Sequence, residues 1–346
     1  MKVVLDTRPL LDGVPGGVRT YTLGLEKELR AAGHEVVEWT NSFRTTGIPN
    51  KILNPLFRFA GWPRVDDIAA RTSGRPDWLV MPNPNFIAFS RQTKLAVVFH
   101  DLSFEVNPSW FSPKDRLWHR LVRPRELAAR ADRIIAVSEL TKRDLMEMYG
   151  VPEGKIVVVP PRIAPSPNLS PGGRGTEGHS FVYLGSITRR KNVLGLIRAF
   201  EYIARDVPDT RLIIAGPDGY GAADVHRAIS ASPIRGRIMV RGVVRDDEKP
   251  TLFASATAFV YPSFYEGYGI PVVEAMSAGL PVIVSNRAAL PEVTDGAGLL
   301  IDPYDFSTIA AAMRAVSRDA ALREQLREAS VTRARELCAS ALTLDL

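Results

Sequence analysis

The 346-residue sequence predicts an α/β protein built from two Rossmann-like domains. Short apolar runs alternate with helix-like patterns from end to end, the arrangement of parallel β–α units. A Pro-, Gly- and Ser-rich stretch without periodicity, residues 166–179, divides that series in two. The length suits two domains of ordinary size. Expected boundaries are 1–165 for the first domain, 166–179 for the linker, 180–330 for the second domain and 331–346 for a helical tail. Ligands of open α/β sheets bind beyond the carboxyl ends of the strands. Two such domains set face to face would enclose a cleft, which favours a two-substrate enzyme.

The elements follow in order. KVVLD at 2–6 reads as a strand, and residues 17–32 as a helix closed by Gly33. HEVVEW, DWLVMP, KLAVVF and DRIIAVS read as successive strands. Ser138 is placed to cap a helix running to Tyr149, with Gly150 ending it, and KIVVVPP closes the first series. The second opens at SFVYLGS. After Lys191, residues Val193, Leu196, Ile197, Phe200 and Ile203 fall on one helical stripe. RLIIAG, RIMVRG, TAFVYP, LPVIVS and GLLID are the later strands, and the chain from about Ile309 is helical.

Composition excludes several classes. Apolar residues make up 45% and charged residues 24%, as in an ordinary soluble protein. No apolar run approaches the roughly 20 residues a spanning helix needs. Asp6 and Arg8 interrupt the opening strand-like run, so no leader peptide is expected there. The single cysteine, Cys338, cannot form an internal disulfide and suits a reducing cytoplasm. The net charge of +6 suits phosphate-bearing partners or an anionic membrane surface. Its densest basic stretch runs from Lys114 to Arg133, interleaved with Trp110, Phe111, Leu117, Trp118 and Leu121. That stretch reads either as a solvated helix face or as a membrane-surface or acceptor-docking patch. No nucleic-acid motif accompanies the charge.

Four constellations could carry chemistry. In SFYEGYGIPVVEA a strand gives way to a glycine-bearing loop and then to a helix near Ile270. The N–H groups of Tyr268, Gly269 and Ile270, with the helix dipole, would make an anion site. Glu266 and Glu274 flank this loop: Glu274 suits a ribose diol, and Glu266 suits sugar hydroxyls nearer the phosphate. In YLGSITRRKN, Arg189, Arg190 and Lys191 precede a helix, where cations oppose the dipole. A bound diphosphate would relieve them. His100 and Asp101 directly follow an apolar strand, and Gly16 and Gly17 open the first helix. Glutamates offsetting a dipole, a solvated basic loop and a structural histidine are the plainer readings. The sequence has no Asp-x-Asp pair, no HExxH, no Cys/His cluster, no GxGxxG and no P-loop. Neither a metal nor a nicotinamide cofactor is therefore expected.

Taken in order, these stretches resemble the family-4 (GT4) retaining glycosyltransferases of the GT-B fold, in which two Rossmann-like domains face each other across a cleft. The resemblance covers nearly the whole chain and is strongest from Phe181 to Asp302. Glu266 and Glu274 match the family's E-x7-E motif with GxGxP inside it. The resemblance implies a nucleotide-diphosphate sugar as donor, no metal requirement and a glycan or lipid-linked acceptor. It implies that Lys191 binds the donor diphosphate, Glu274 the ribose and Glu266 the transferred sugar. The 268–270 backbone would support the phosphate, His100 would reach the sugar from the opposite domain, and Gly16 and Gly17 would let the first loop close. Many members carry arginine where this chain has Ser186, a donor-loop position, so Arg190 is the candidate replacement. WPRVDD, MPNPNFIAF and FHDLSF resemble the mannosyltransferase-like branch, making GDP-mannose the first expectation and a UDP-hexose the second. The expected role is polysaccharide biosynthesis in the cytoplasm, with peripheral contact at the inner membrane face as a further reading. A sugar-nucleotide epimerase of the same fold and a non-catalytic sugar-nucleotide-binding protein are the rival functions.

Overall fold

A computed structural model describes residues 1–11, 16–40, 64–163 and 180–339. The expected linker 166–179 lies outside them. The described residues divide into two units, one within 1–108 and 112–162, the other within 109–111 and 163–339.

In the first unit the strands are β1 (Lys2–Asp6), β2 (Glu35–Trp39), β3 (Trp78–Met81), β4 (Lys94–Phe99), β5 (Arg133–Ala136) and β6 (Ile156–Val158). They pair in parallel in the order β2-β1-β3-β4-β5-β6. The central strands are buried almost throughout, as a parallel sheet covered on both faces requires. Ser138 caps the helix Glu139–Tyr149 by accepting from the Thr141 N–H at 3.1 Å. Gly150, at φ 68°, closes that helix with a donation to Met146 O, as its sequence position predicts.

In the second unit the strands are β7 (Ser180–Leu184), β8 (Arg211–Ala215), β9 (Ile238–Gly242), β10 (Ala258–Tyr261), β11 (Val282–Ser285) and β12 (Leu299–Ile301). Their order is β12-β11-β10-β7-β8-β9, again all parallel. The predicted stripe Val193, Leu196, Ile197, Phe200 and Ile203 is buried along the helix Val193–Ile203. Strand order reverses between β7 and β10, and ligands of doubly wound sheets bind at such a switch point. The loops after those two strands are the YLGSITRRKN and SFYEGYGIP segments. In the tail, the helices Phe306–Arg318 and Ala320–Ala339 meet at Asp319, so the boundary expected at 331 falls inside a continuous helix.

The basic segment becomes the helices Pro113–Val122 and Pro124–Arg130. Trp118 and Leu121 pack against the core, whereas Lys114, Arg116, Leu117 and Arg120 are exposed. No helix among the described residues is long and apolar enough to cross a membrane.

Candidate functional site

The switch point of the second unit is assembled by backbone before any side chain acts. β7 ends at Leu184, and the loop that follows lies against the loop after β8. A Cβ on Gly216, at φ 139°, would come within 2.0 Å of the Gly185 carbonyl oxygen, so only glycine fits there. The Arg189 N–H then donates to Tyr220 O at 3.0 Å. Residues Arg189–Lys191 form a single 3-10 turn, ended by Asn192 in the left-handed conformation at φ 53°.

Asn192 fastens this turn to its neighbours. Its Oδ1 accepts from the Gly195 N–H and caps the helix Val193–Ile203. Its Nδ2 donates to Pro262 O at 3.2 Å and to Pro303 O at 2.7 Å. The Phe264 N–H donates to Arg190 O at 2.9 Å, joining the turn to the loop after β10. The basic turn is thus bolted to the loop that carries Glu266.

Side-chain contacts complete the cluster. Lys191 Nζ donates to Glu266 Oε1 and to the Tyr261 hydroxyl, each at 2.6 Å. Arg190 donates to Glu266 Oε2 at 3.1 Å and to Tyr265 O. Lys191 and Glu266 are buried, at 8% and 5% exposure, so the pair is shielded from water. Burial alone would raise the Glu266 carboxyl, but Arg190 and Lys191 outweigh it and hold the group below the ordinary glutamate range. Burial keeps the Tyr261 hydroxyl protonated, aided by the negative charge of Glu266. Two cations thus meet one carboxylate in a partly dry setting. Cations held there can bind an anion through charge-assisted hydrogen bonds. The compensation that the sequence assigned to a bound diphosphate is thus supplied in part by Glu266 itself.

The GYGIP loop continues from Glu266, whose carbonyl accepts from the Ala289 N–H at 3.2 Å. Gly269, at φ 101°, is the N-cap of the helix Ile270–Ser277, and a Cβ there would strike Leu290 Cδ2 at 2.6 Å. Pro271 occupies the first turn, where no N–H is needed. The main-chain N–H groups opening this helix carry the positive end of its dipole. The Tyr268 side chain is buried, and burial pushes its hydroxyl up to about 12. The phenol of Tyr268 is therefore buried and protonated. Ser186 lies after Gly185, and its carbonyl accepts from the Tyr183 hydroxyl at 2.9 Å.

Glu274 stands apart from this cluster, further along the helix Ile270–Ser277. Its Oε1 accepts from Lys249 Nζ at 2.7 Å. The structure thus joins Arg190, Lys191 and Glu266 directly and gives Glu274 a separate partner. Sequence reasoning does not single out Lys249, Asn192 or Tyr261 as site residues. Tyr261, as the last residue of an apolar strand, and Asn192, as the cap after RRK, carry faint local signals; Lys249 carries none.

In the first unit, His100 follows β4. Its Nε2 lies 2.7 Å from Pro82 O, and its ring meets Tyr21 edge-on at 5.2 Å. Burial lowers its pKa, so the ring is neutral at pH 7. A neutral ring beside a carbonyl carries its proton on Nε2, leaving Nδ1 as an acceptor for a hydroxyl. Gly16 is extended at φ −179°, exposed, and has open space where a Cβ would stand. Gly17 begins the helix Gly17–Ala31. That backbone is open to approach but does not itself demand glycine.

The profile for Glycosyltransferase Family 4 matches residues 15–166, and that for Glycosyl transferases group 1 matches residues 171–333. The chain belongs to glycosyltransferase family 4. Among curated relatives of this family-4 chain, O-antigen chain mannosyltransferase B of Escherichia coli is 32% identical over 70% of the chain. That match spans 66% of the relative, just under two thirds of its length. Phosphatidyl-myo-inositol mannosyltransferase of Mycolicibacterium smegmatis is 28% identical over 93% of the chain and 86% of its own. Among solved structures, Anabaena HepE in complex with UDP-glucose superposes with a TM-score of 0.73 at 17% identity, covering 97% of this chain and 95% of HepE. At that identity the likeness shows the fold, which is GT-B.

Proposed function

We propose that this family-4 chain is a retaining hexosyltransferase. It takes a sugar from a nucleotide-diphosphate donor and passes it to a glycan or lipid-linked acceptor, with no metal required. The observation that carries the reading is the Arg190–Lys191–Glu266 cluster, with Lys191 and Glu266 buried, at the strand-order reversal of the second unit, continuous with the GYGIP helix start. As the bond from the anomeric carbon to the diphosphate oxygen breaks, the bonding pair leaves on that oxygen. Arg190, Lys191 and the 268–270 amides lower the cost of the emerging charge through dipoles and cations already in place. The acceptor hydroxyl attacks the same face and gives its proton to the departing phosphate. Glu274 holds the ribose, Glu266 and His100 bind hydroxyls of the transferred sugar, and Ser186, Gly16 and Gly17 contribute loop backbone.

Mannose from GDP-mannose is the first choice of donor, supported by the mannosyltransferase names of both curated relatives. A UDP-hexose is the second, supported by the UDP-glucose bound to HepE. A thermal-shift series with GDP-, UDP-, ADP- and dTDP-sugars in chelator tests this. One donor class is expected to raise the melting temperature. No stabilisation by any of them, or conversion of donor without acceptor as an epimerase would give, contradicts the reading.

The proposal places the enzyme in the cytoplasm, in peripheral contact with an anionic membrane surface. The exposed Lys114, Arg116, Leu117 and Arg120 support that contact. Cosedimentation with vesicles containing anionic lipid should weaken when the three cations become alanine, and unchanged binding would count against it.

A further inference from the structure

We infer that Lys249 is a positioning residue for the donor, acting through its ion pair with Glu274; the inference rests on the ribose role proposed for Glu274. Lys249 opens the short helix Lys249–Ala254, in the connection between β9 and β10. A cation at a helix start works against the dipole, so local preference does not explain it. Its Nζ bridges Asp246 Oδ1 at 2.9 Å and Glu274 Oε1 at 2.7 Å, across 25 residues of sequence. The side chains of Lys249 and Glu274 are each only 17% exposed, whereas Asp246 is 76% exposed. Among the described residues no other group bonds to the Glu274 carboxylate, which leaves Oε2 for a ligand hydroxyl.

The electrostatics give the pair its purpose. Burial pushes the Glu274 carboxyl above the ordinary glutamate value, Lys249 opposes that rise, and Asp246 adds to it. These are the two charged groups acting on Glu274. Without Lys249, both remaining influences favour the protonated acid, which has fewer acceptor sites for a vicinal diol. Lys249 therefore keeps Glu274 ionised and fixes one oxygen, so that the other meets the ribose. Because ribose is common to all nucleotide donors, the effect is independent of the base.

Calorimetric titration with GDP and with UDP, from pH 6 to pH 8.5, tests this on wild type, E274Q, K249M and K249R. K249M is expected to bind the preferred nucleotide at least about tenfold more weakly at pH 6.5, a difference of about 1.4 kcal/mol. That loss should shrink as rising pH ionises Glu274. A role in folding alone would not produce this pH dependence. K249R keeps the charge and should bind within about threefold of wild type at every pH. If E274Q weakens binding while K249M does not, or if folded K249R loses affinity as E274Q does, the positioning role is overturned and the ribose role stands. If E274Q binds as wild type, the ribose role itself fails. Should K249M not fold, K249R against E274Q decides.

Discussion

Lys191→Met is expected to lower the transfer rate between about a hundredfold and a thousandfold, with a smaller change in donor KM. The reason is the timing of charge. In the proposed reaction Lys191 meets a diphosphate in the ground state, but its largest contribution comes as the sugar–oxygen bond breaks and negative charge gathers on the leaving group. Preorganised groups serving that purpose are each worth about two to three orders of magnitude in rate. The ammonium is held in place by Glu266 Oε1 and the Tyr261 hydroxyl, so little reorganisation is needed. Glu266 keeps Arg190 when Lys191 is removed, so the fold should survive. Steady-state kinetics beside a melting curve checks this: a folded K191M with a rate within about threefold of wild type would remove the residue from the mechanism.

Glu266→Gln should produce the largest stability effect of any substitution in the site. It leaves Lys191 and Arg190 facing a neutral amide in a buried setting, and breaking such a pair from one side costs about 3–5 kcal/mol. The expected pH dependence follows from the direction of the Glu266 shift. Its folded pKa is lowered, so the stability it contributes is fully present above the unfolded glutamate value of 4.5. That contribution is lost as pH falls through the lower folded value. The gap between wild type and E266Q should therefore be constant from pH 6 to 8 and narrow below about pH 4.5. Urea denaturation at several pH values measures it. A gap below about 1 kcal/mol at pH 7 would mean that the cluster is not held as the structure shows.

The sheets and their helices were legible because parallel strands covered on both faces must be short apolar runs, and those runs stand out against polar connections. The cap at Ser138 and the stop at Gly150 were legible because each depends on one residue type at one place. Glu266 and Lys191 were legible as members of dense local motifs, but their mutual contact was not. It joins residues 75 apart, brought together by the pairing of β7 with β10. The sequence therefore assigned the relief of the basic turn to a ligand, whereas the chain provides part of it. Asn192 was read as the end of a motif, yet its left-handed backbone and two carbonyl partners set where the basic turn sits. The link between Lys249 and Glu274 could not be read locally, because no period or spacing marks a contact 25 residues apart. Tyr268 shows the converse: the motif marks the residue, but its ring is buried.

In the proposed reaction, protein cations and main-chain dipoles alone stabilise the departing diphosphate. Turnover of the donor chosen by the thermal-shift series, measured with excess chelator and again with added magnesium, tests it most directly. Rates that agree within about twofold under both conditions, and that fall together in K191M, are the predicted result. Turnover that vanishes in chelator and returns with magnesium would show that a metal, not the protein alone, carries the leaving charge.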